Sequence, residues 1–312
     1  MPTSPFSSEV QELAVDTAWS LWTELGVSGS VRHHSDVGVD LEALILATAY
    51  LGRLDARLLV ESLDWCVGNS RFASSDRLRN LLRAADANVQ SAFGRYAATV
   101  RKLRRVSWPG TGEPYDFSPT RRSLPPDLRR PALVQLRLRA LLGVSARAEV
   151  VRWLLDQPDR FVGSLELSME AAYRKDNIAD TLDLLSRAGL VVETTMTTTG
   201  NQRVFRLDQA SELVKALLQW SIVPQQRWDA CFRVIVSLVE FASSSVERAA
   251  PRAANIQGLL RTLQSDLRWL GTFPALRLGV DAVNEDFDNW ALRTLRGWAR
   301  APEPANQSGA SR

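Results

Sequence analysis

Apolar residues recur at three- and four-residue intervals through the N-terminal third of the chain, the spacing of amphipathic helices. The predicted helical runs are 9–25, 41–51, 56–66 and 75–106. Gly26 is placed to end the first run, because glycine favours the turn that follows a helix. Asp40 is placed to cap the second, because its carboxylate can accept the first free backbone N–H groups. The pattern predicts an N-terminal helical module over residues 1–106.

The helical pattern stops at a cluster of prolines. Six of the 14 prolines fall between Pro109 and Pro131. Proline lacks the backbone N–H that a helix needs and clashes with the preceding turn, so no helix is expected here. Residues 107–131 are therefore predicted to be an extended, basic linker at a domain boundary.

The region that follows, residues 132–208, combines helical and strand patterns. Helical runs are predicted at 133–155, where Gly143 is a candidate break, at 165–171, and at 175–188, which Gly189 ends. Strands are predicted at 190–196 and 202–207, with a turn at 198–201 between them. The strands are rich in Val and Thr or alternate apolar with polar residues. This order of elements is that of a winged helix-turn-helix with a two-stranded β wing.

The stretch Ser164–Val192 carries a more specific signal. It leads through Arg187-Ala-Gly-Leu190 into a strand, and Gly200-Asn-Gln-Arg203 and Val204-Phe-Arg-Leu207 then supply the tip and the returning strand. This region resembles the core of ArsR- and MarR-type winged-helix regulators. The resemblance implies a DNA-binding role in the regulation of transcription, usually as a homodimer.

In such regulators the second helix of the turn enters the major groove with its N-terminal residues, and the wing rests on the backbone or minor groove. Carried onto this chain, the reading helix is 173–188 and the wing is 197–203. The residues implied to face bases are Tyr173, Arg174, Lys175 and Asn177. The residues implied to contact the DNA backbone are Thr198, Thr199, Arg203 and Arg206, with Arg147 and Arg152 before the turn. Arg174 suits guanine and Asn177 suits adenine. Metal sensing of the ArsR type needs clustered Cys or His ligands, which this region lacks.

Three carboxylates argue against a duplex lying along the whole reading helix. Asp176, Asp180 and Asp183 fall within a narrow arc opposite the apolar stripe, where they repel phosphate unless only the first turn approaches. A winged helix can also dock a protein, and an acidic face suits that use. The alternative function is a protein-interaction scaffold or antitoxin-like adaptor that binds a protein partner through the winged helix.

The C-terminal region returns to helical spacing. Residues 209–300 are predicted as a C-terminal helical module, and 301–312 as a disordered tail. The apolar run Ile256–Leu270 either packs with the N-terminal module into one helical body or forms a two-fold dimer seam that places two reading helices on a two-part DNA site. The fold class is thus mainly α, with a central winged helix-turn-helix between two helical modules.

Composition adds a charge asymmetry to this picture. Hydrophobic residues make up 45% and charged residues 23%, which is ordinary for a soluble globular protein, and the net charge is +3. Residues 101–152, however, hold twelve basic residues against four acidic ones. This basic middle indicates either a polyanion contact or an arginine-rich solvated linker. No apolar stretch is long enough to span a membrane, and the first residues have neither a basic nor an apolar segment. We therefore expect no secretory leader, a cytoplasmic location and no membrane partner.

Residues that carry catalysis or bind metals are sparse. His33 and His34 lie near acidic residues, but their spacing matches no strong metal motif, so a solvated turn is expected. Cys66 and Cys231 lie far apart in apolar surroundings, which predicts buried, reduced structural thiols. The sequence contains no hydrolase, zinc-peptidase or phosphate-loop motif. We therefore expect no enzymatic activity, no cofactor and no metal.

Overall fold

The helices of the N-terminal region begin and end at local sequence signals. A computed structural model describes residues 4–28, 34–120, 122–196, 201–244 and 249–299. The first five helices are α1 (Pro5–Glu24), α2 (Leu41–Leu51), α3 (Ala56–Asn69), α4 (Ser75–Arg83) and α5 (Ala87–Leu103). Asp40 caps α2 by accepting the N–H of Ala43, and Gly26 follows α1 with a φ of 91°. The run predicted at 75–106 is two helices, because the chain turns extended again at Asp86 and restarts there.

The proline-rich segment is a packed strap rather than a free linker. Trp108 is buried and stacks on Phe93 of α5, with ring centroids 6.3 Å apart. The Asp64 carboxylate of α3 accepts the backbone N–H groups of Thr120 at 2.6 Å and Arg122 at 3.1 Å. The segment is extended, as its prolines require, but these contacts hold it against the N-terminal helices.

The middle of the chain forms a small separate core. Its elements are α6 (Val134–Leu142), α7 (Ala146–Asp156), β1 (Val162–Gly163), α8 (Ser164–Ala171), α9 (Lys175–Arg187), β2 (Val191–Met196), β3 (Gln202–Leu207) and α10 (Glu212–Leu218). We call residues 134–222 the middle unit. Ile178, Leu182 and Leu185 of α9 are buried in its core, as the apolar stripe predicted. Helix α10, grouped with the C-terminal helices in the sequence analysis, packs here instead through Val214 and Leu217.

The sheet of the middle unit has three antiparallel strands in the order β1-β3-β2. The sequence predicted only β2 and β3, which pair from Val191 opposite Leu207 to Met196 opposite Gln202. The third strand was missed because two residues are too short to show alternation; Val162 pairs with Phe205 of β3.

The C-terminal helices complete the core of the N-terminal region. They are α11 (Trp228–Ser243), α12 (Ala249–Thr262), α13 (Gln264–Leu270) and α14 (Val280–Ala299). Helix α14 lies against α1, and α11 lies against α1 and α2. We call α1–α5 with α11–α14 the helical body. Its core buries Ile256, Leu263 and Leu267 within the chain, so the apolar face of 256–270 packs inside one helical body.

Helix α6 joins the two cores. Leu136 and the preceding Leu133 are buried in the helical body, whereas Val134 and Leu138 are buried in the middle unit. A helix that contributes to two cores cannot rotate freely against either of them, because both sets of contacts would be lost. The position of α6 therefore orients the middle unit on the helical body.

Candidate nucleic-acid interface

The turn between α8 and α9 presents three polar side chains to solvent. Ala172 adopts a left-handed conformation with a φ of 54°, and Ser168 accepts the N–H groups of Ala172 and Tyr173, which ends α8. The chain then restarts as α9, whose first residues Lys175 and Asn177 are exposed together with Arg174 just before it. Their ammonium, amide and guanidinium groups can donate hydrogen bonds to phosphate oxygens and to acceptors on base edges.

Arg174, one of the predicted base-facing residues, is only weakly held. Its side chain is 79% exposed, and its one ion pair, with Asp176, is long at 3.7 Å. An exposed pair of this kind contributes little, so it does not hold the guanidinium in place.

Tyr173 was also predicted to face bases, but the structure buries it. Its hydroxyl lies 2.7 Å from the Ser74 hydroxyl at the start of α4. Burial raises the pKa of Tyr173 to about 12. The apolar ring is used to pack the turn against α4, and the hydroxyl is satisfied inside the protein.

On the β2–β3 hairpin, Arg203 is exposed but engaged. It donates to the Glu193 carboxylate on β2 at 2.5 and 2.7 Å and to Asp183 of α9 at 2.6 Å. These hydrogen bonds raise the pKa of Arg203 and lower that of Glu193. Arg203 is therefore shared between Glu193 and Asp183, the latter one of the three carboxylates predicted on the outward face of α9, and Asp176 and Asp180 stay exposed.

Arg206, the second predicted wing arginine, is half-buried. Its guanidinium carbon lies 4.8 Å from the centre of the Phe161 ring, and its Nε is buried without a hydrogen-bond partner. Thr198 and Thr199, also predicted to contact phosphate, lie outside the described residues.

The two arginines predicted before the turn have opposite environments. Arg147 is exposed on α7 and free of the core. Arg152 is buried on the same helix, where it donates to Glu149 at 3.1 Å and to the Gln225 side chain at 2.8 Å. Arg152 was predicted to contact DNA, but these internal acceptors take its donors and only 4% of its side chain is exposed.

Arg152 belongs to a cluster of six buried charges that joins the helical body to the middle unit. We call it the buried charge cluster; it consists of Asp40, Glu42, Arg77, Arg139, Glu149 and Arg152. Arg139 of α6 bridges the two units by pairing with Glu42 at 2.6 Å and with Glu149 at 2.6 Å. Burial opposes ionisation of Glu149, but Arg139 and the other arginines lower its pKa to about 2. The charges balance, which a buried set requires.

The buried charge cluster continues into contacts that hold the α8–α9 turn. Arg77 of α4 pairs with Asp40 and also donates to the carbonyl of Ala171 at 3.0 Å. Asn80, one turn later on α4, donates to the carbonyl of Ala172 at 2.9 Å. With the Ser74–Tyr173 contact, these bonds fix the turn, and hence the start of α9, against α4. The sequence did not reveal this, because the partners lie more than 90 positions apart.

Part of the basic excess of residues 101–152 is used inside the molecule. Arg139 and Arg152 are buried in the charge cluster. Arg104 donates to the carbonyl of Val67 at 2.6 Å, Arg101 donates to that of Trp108 at 2.7 Å, and Arg130 pairs with Glu24 at 2.8 Å. These arginines serve packing, so the charge count alone overstates the basic surface.

The residues considered for metal binding or nucleophilic chemistry have structural partners. His34 is buried rather than solvated: its Nδ1 lies 2.5 Å from the Ser20 hydroxyl, and its ring meets Trp228 edge-on. His33 lies outside the described residues. Cys66 and Cys231 are free, buried thiols, as predicted, and burial raises the pKa of each to about 12. Among the residues that the structure describes, no group of three His, Cys, Asp or Glu side chains is placed to hold a metal ion.

Comparison of the chain with protein-family models, with curated proteins and with solved structures found no match. Within the described ranges, none of the helices has both the length and the apolar content needed to cross a membrane.

Proposed function

We propose that this protein is a DNA-binding regulator of transcription whose middle unit is a winged helix-turn-helix. Helix α9 would read the major groove with its first turn, and the β2–β3 hairpin would lie on the DNA backbone. The observation that carries the proposal is the exposure of Arg174, Lys175 and Asn177 together at the start of a helix whose opposite face is buried. These three side chains can donate hydrogen bonds to base edges and to phosphates.

Two of the three acidic residues of α9 lie away from the groove when only the first turn enters it. Asp180 lies one helical turn beyond Asp176, and Asp183 pairs with Arg203. Asp176 lies in the first turn, where its partner is Arg174. Phosphate can still compete for Arg203, because exposed ion pairs are weak and Arg203 is 49% exposed. In this proposal the hairpin supplies Arg203 to the DNA backbone, where a phosphate replaces Glu193 and Asp183 as its partner.

A protein-docking role is the second candidate, and a specific observation favours it. Leu165 and Met169 of α8 and Leu184 of α9 are apolar side chains with about half of their surface exposed, at 54%, 49% and 55%. Scattered apolar residues are normal on surfaces, but three on one helix pair suit the contact of a partner protein. A scaffold or adaptor would use this surface and the neighbouring acidic residues.

The test is the selection of bound duplexes from a random pool, followed by affinity measurements with two variants. Arg174→Ala should relax the preference at one base position by about 1–3 kcal/mol, because a guanidinium–guanine pair is lost. Arg203→Ala should weaken binding to all duplexes alike, because a phosphate contact carries no sequence information. Equal affinities of parent and both variants for every duplex would contradict the proposal.

The proposal includes a homodimer, the cytoplasmic location that the sequence predicts, and no catalytic activity. Because the 256–270 face is covered within one chain, a dimer would have to use another surface. Light scattering at micromolar concentration measures the mass: twice the chain mass of 34.7 kDa is expected, and 34.7 kDa would contradict the dimer.

A further inference from the structure

A cleft of about 390 Å³ separates α4 of the helical body from the start of α9. Asp76, Arg79, Asn80 and Arg83 line it from α4, and Tyr173, Arg174 and Asn177 line it from the other side. Two of the residues proposed to read bases, Arg174 and Asn177, thus share a cavity wall with a helix outside the middle unit. A molecule that enters this cleft therefore meets both α4 and the start of α9.

The cleft is positively charged. Arg79, Arg83 and Arg174 contribute three guanidinium groups, and Asp76 is the one carboxylate among the residues that line it. Arg79 pairs with Asp76 at 2.6 Å, but the pair is exposed, at 43% and 64% of the two side chains. Arg83 is exposed, and its contact with the Asn80 side chain is long at 3.4 Å. Weakly held guanidinium groups of this kind are available to an anion, since exposed ion pairs and long hydrogen bonds contribute little.

The arginines of α4 are held at a defined place relative to α9. Asn80 lies between Arg79 and Arg83 on α4 and donates to the carbonyl of Ala172, while Arg77 donates to that of Ala171. The α4 helix and the α8–α9 turn are therefore joined directly by hydrogen bonds. Guanidinium groups carried on this fixed helix can bind a phosphate at a set distance from the base-reading residues.

We propose that Arg79 and Arg83 bind the phosphate backbone of the DNA whose groove α9 reads. The N-terminal helical module is then part of the DNA-binding surface, and the bound duplex extends over α4. This inference rests on the proposed function, because it assigns a second set of contacts to the same duplex. The fork geometry and permanent charge of guanidinium groups suit phosphate oxygens.

The experiment measures binding of the full chain to a selected duplex and to a scrambled duplex over a series of salt concentrations. Each phosphate contact contributes about 0.9 to the slope of log K against log salt. Replacing both arginines, as Arg79→Ala with Arg83→Ala, should reduce that slope by about 1.8 and weaken both duplexes by the same factor. Asp76→Asn should strengthen binding to both duplexes, because it removes the carboxylate that competes for Arg79.

The matched control is Arg261→Ala, which removes an exposed arginine of α12 outside the cleft and should leave the slope unchanged. Thermal unfolding of each variant checks that the fold is retained. A parent-like slope and affinity in the folded double variant would overturn this inference alone. Absence of binding by the parent to either duplex would instead overturn the proposed function, and with it this inference.

Discussion

Removal of Arg139 tests whether the buried charge cluster holds the middle unit on the helical body. Its side chain is fully buried on α6 and donates to Glu42, to Glu149 and to the carbonyl of Phe72 at distances of 2.6 to 2.9 Å. Arg139→Met keeps most of the volume and removes the charge. The buried carboxylates of Glu42 and Glu149 then each lose one arginine partner.

The expected loss follows from the charges that remain. With Arg139 absent, the cluster holds three carboxylates and two guanidinium groups, so one negative charge is uncompensated. Breaking a buried ion pair by removing one partner costs about 3–5 kcal/mol. The exposed arginine Arg79, replaced by Met as a control, should cost less than about 1 kcal/mol, because its ion pair with Asp76 is in solvent.

Urea unfolding followed by tryptophan fluorescence and by circular dichroism measures both variants. The deficit of Arg139→Met should be larger at pH 7 than at pH 5, because loss of Arg139 raises the pKa of Glu149 from the value of about 2 that it has in the parent. Protonation of Glu149 then relieves the excess charge as the pH falls. Adding Glu149→Gln should cost less in the Arg139→Met background than in the parent. A deficit of Arg139→Met below about 1 kcal/mol, equal to that of the control, would refute this role of the cluster.

Two further predictions address the helical body. Burial lowers the pKa of His34 below 6.5, so the unfolded chain binds a proton that the folded chain excludes. The free energy of unfolding should therefore decrease as the pH falls through that region. His34→Gln should reduce this decrease in thermal unfolding scans, whereas an equal effect of His33→Gln would count against the assignment. A Cβ at Gly94 of α5 would lie 2.1 Å from the carbonyl oxygen of Thr111 in the strap. Gly94→Ala should therefore lower the free energy of unfolding by about 1–3 kcal/mol. Gly68→Ala on α3, where the space is open, should be neutral or stabilising. Similar effects of the two substitutions would show that the strap is not packed as described.

Features that depend on neighbouring residues were predicted well from the sequence. Asp40 caps α2 because its carboxylate reaches an N–H three positions away. Gly189 follows α9 with a φ of 69°, a conformation that glycine adopts without a Cβ penalty. The stripe through Ile178 was visible because helical spacing brings every third or fourth residue to one face. These signals are local, so they can be recognised in the sequence without knowledge of how the rest of the chain packs.

The candidate interface depends on contacts between distant residues, and there the sequence was insufficient. Arg152 and Tyr173 are residue types that commonly contact DNA, but both are buried here because their partners come from other elements. Arg79 and Arg83 have no motif that marks them, and only the docking of α4 beside α9 brings them to the candidate site. Charge and side-chain type define what a residue can bind, whereas packing decides whether it is accessible.

The most direct test of the proposed function is an equilibrium titration of the full chain against DNA from upstream of its own gene and against a scrambled duplex, over a series of salt concentrations. The account predicts tighter binding to the upstream DNA, and a linear decrease of log K with log salt for both, because phosphates are neutralised on binding. No binding to either duplex at the lowest salt concentration would contradict it, and the exposed apolar residues around Leu184 would then direct the search to a protein partner.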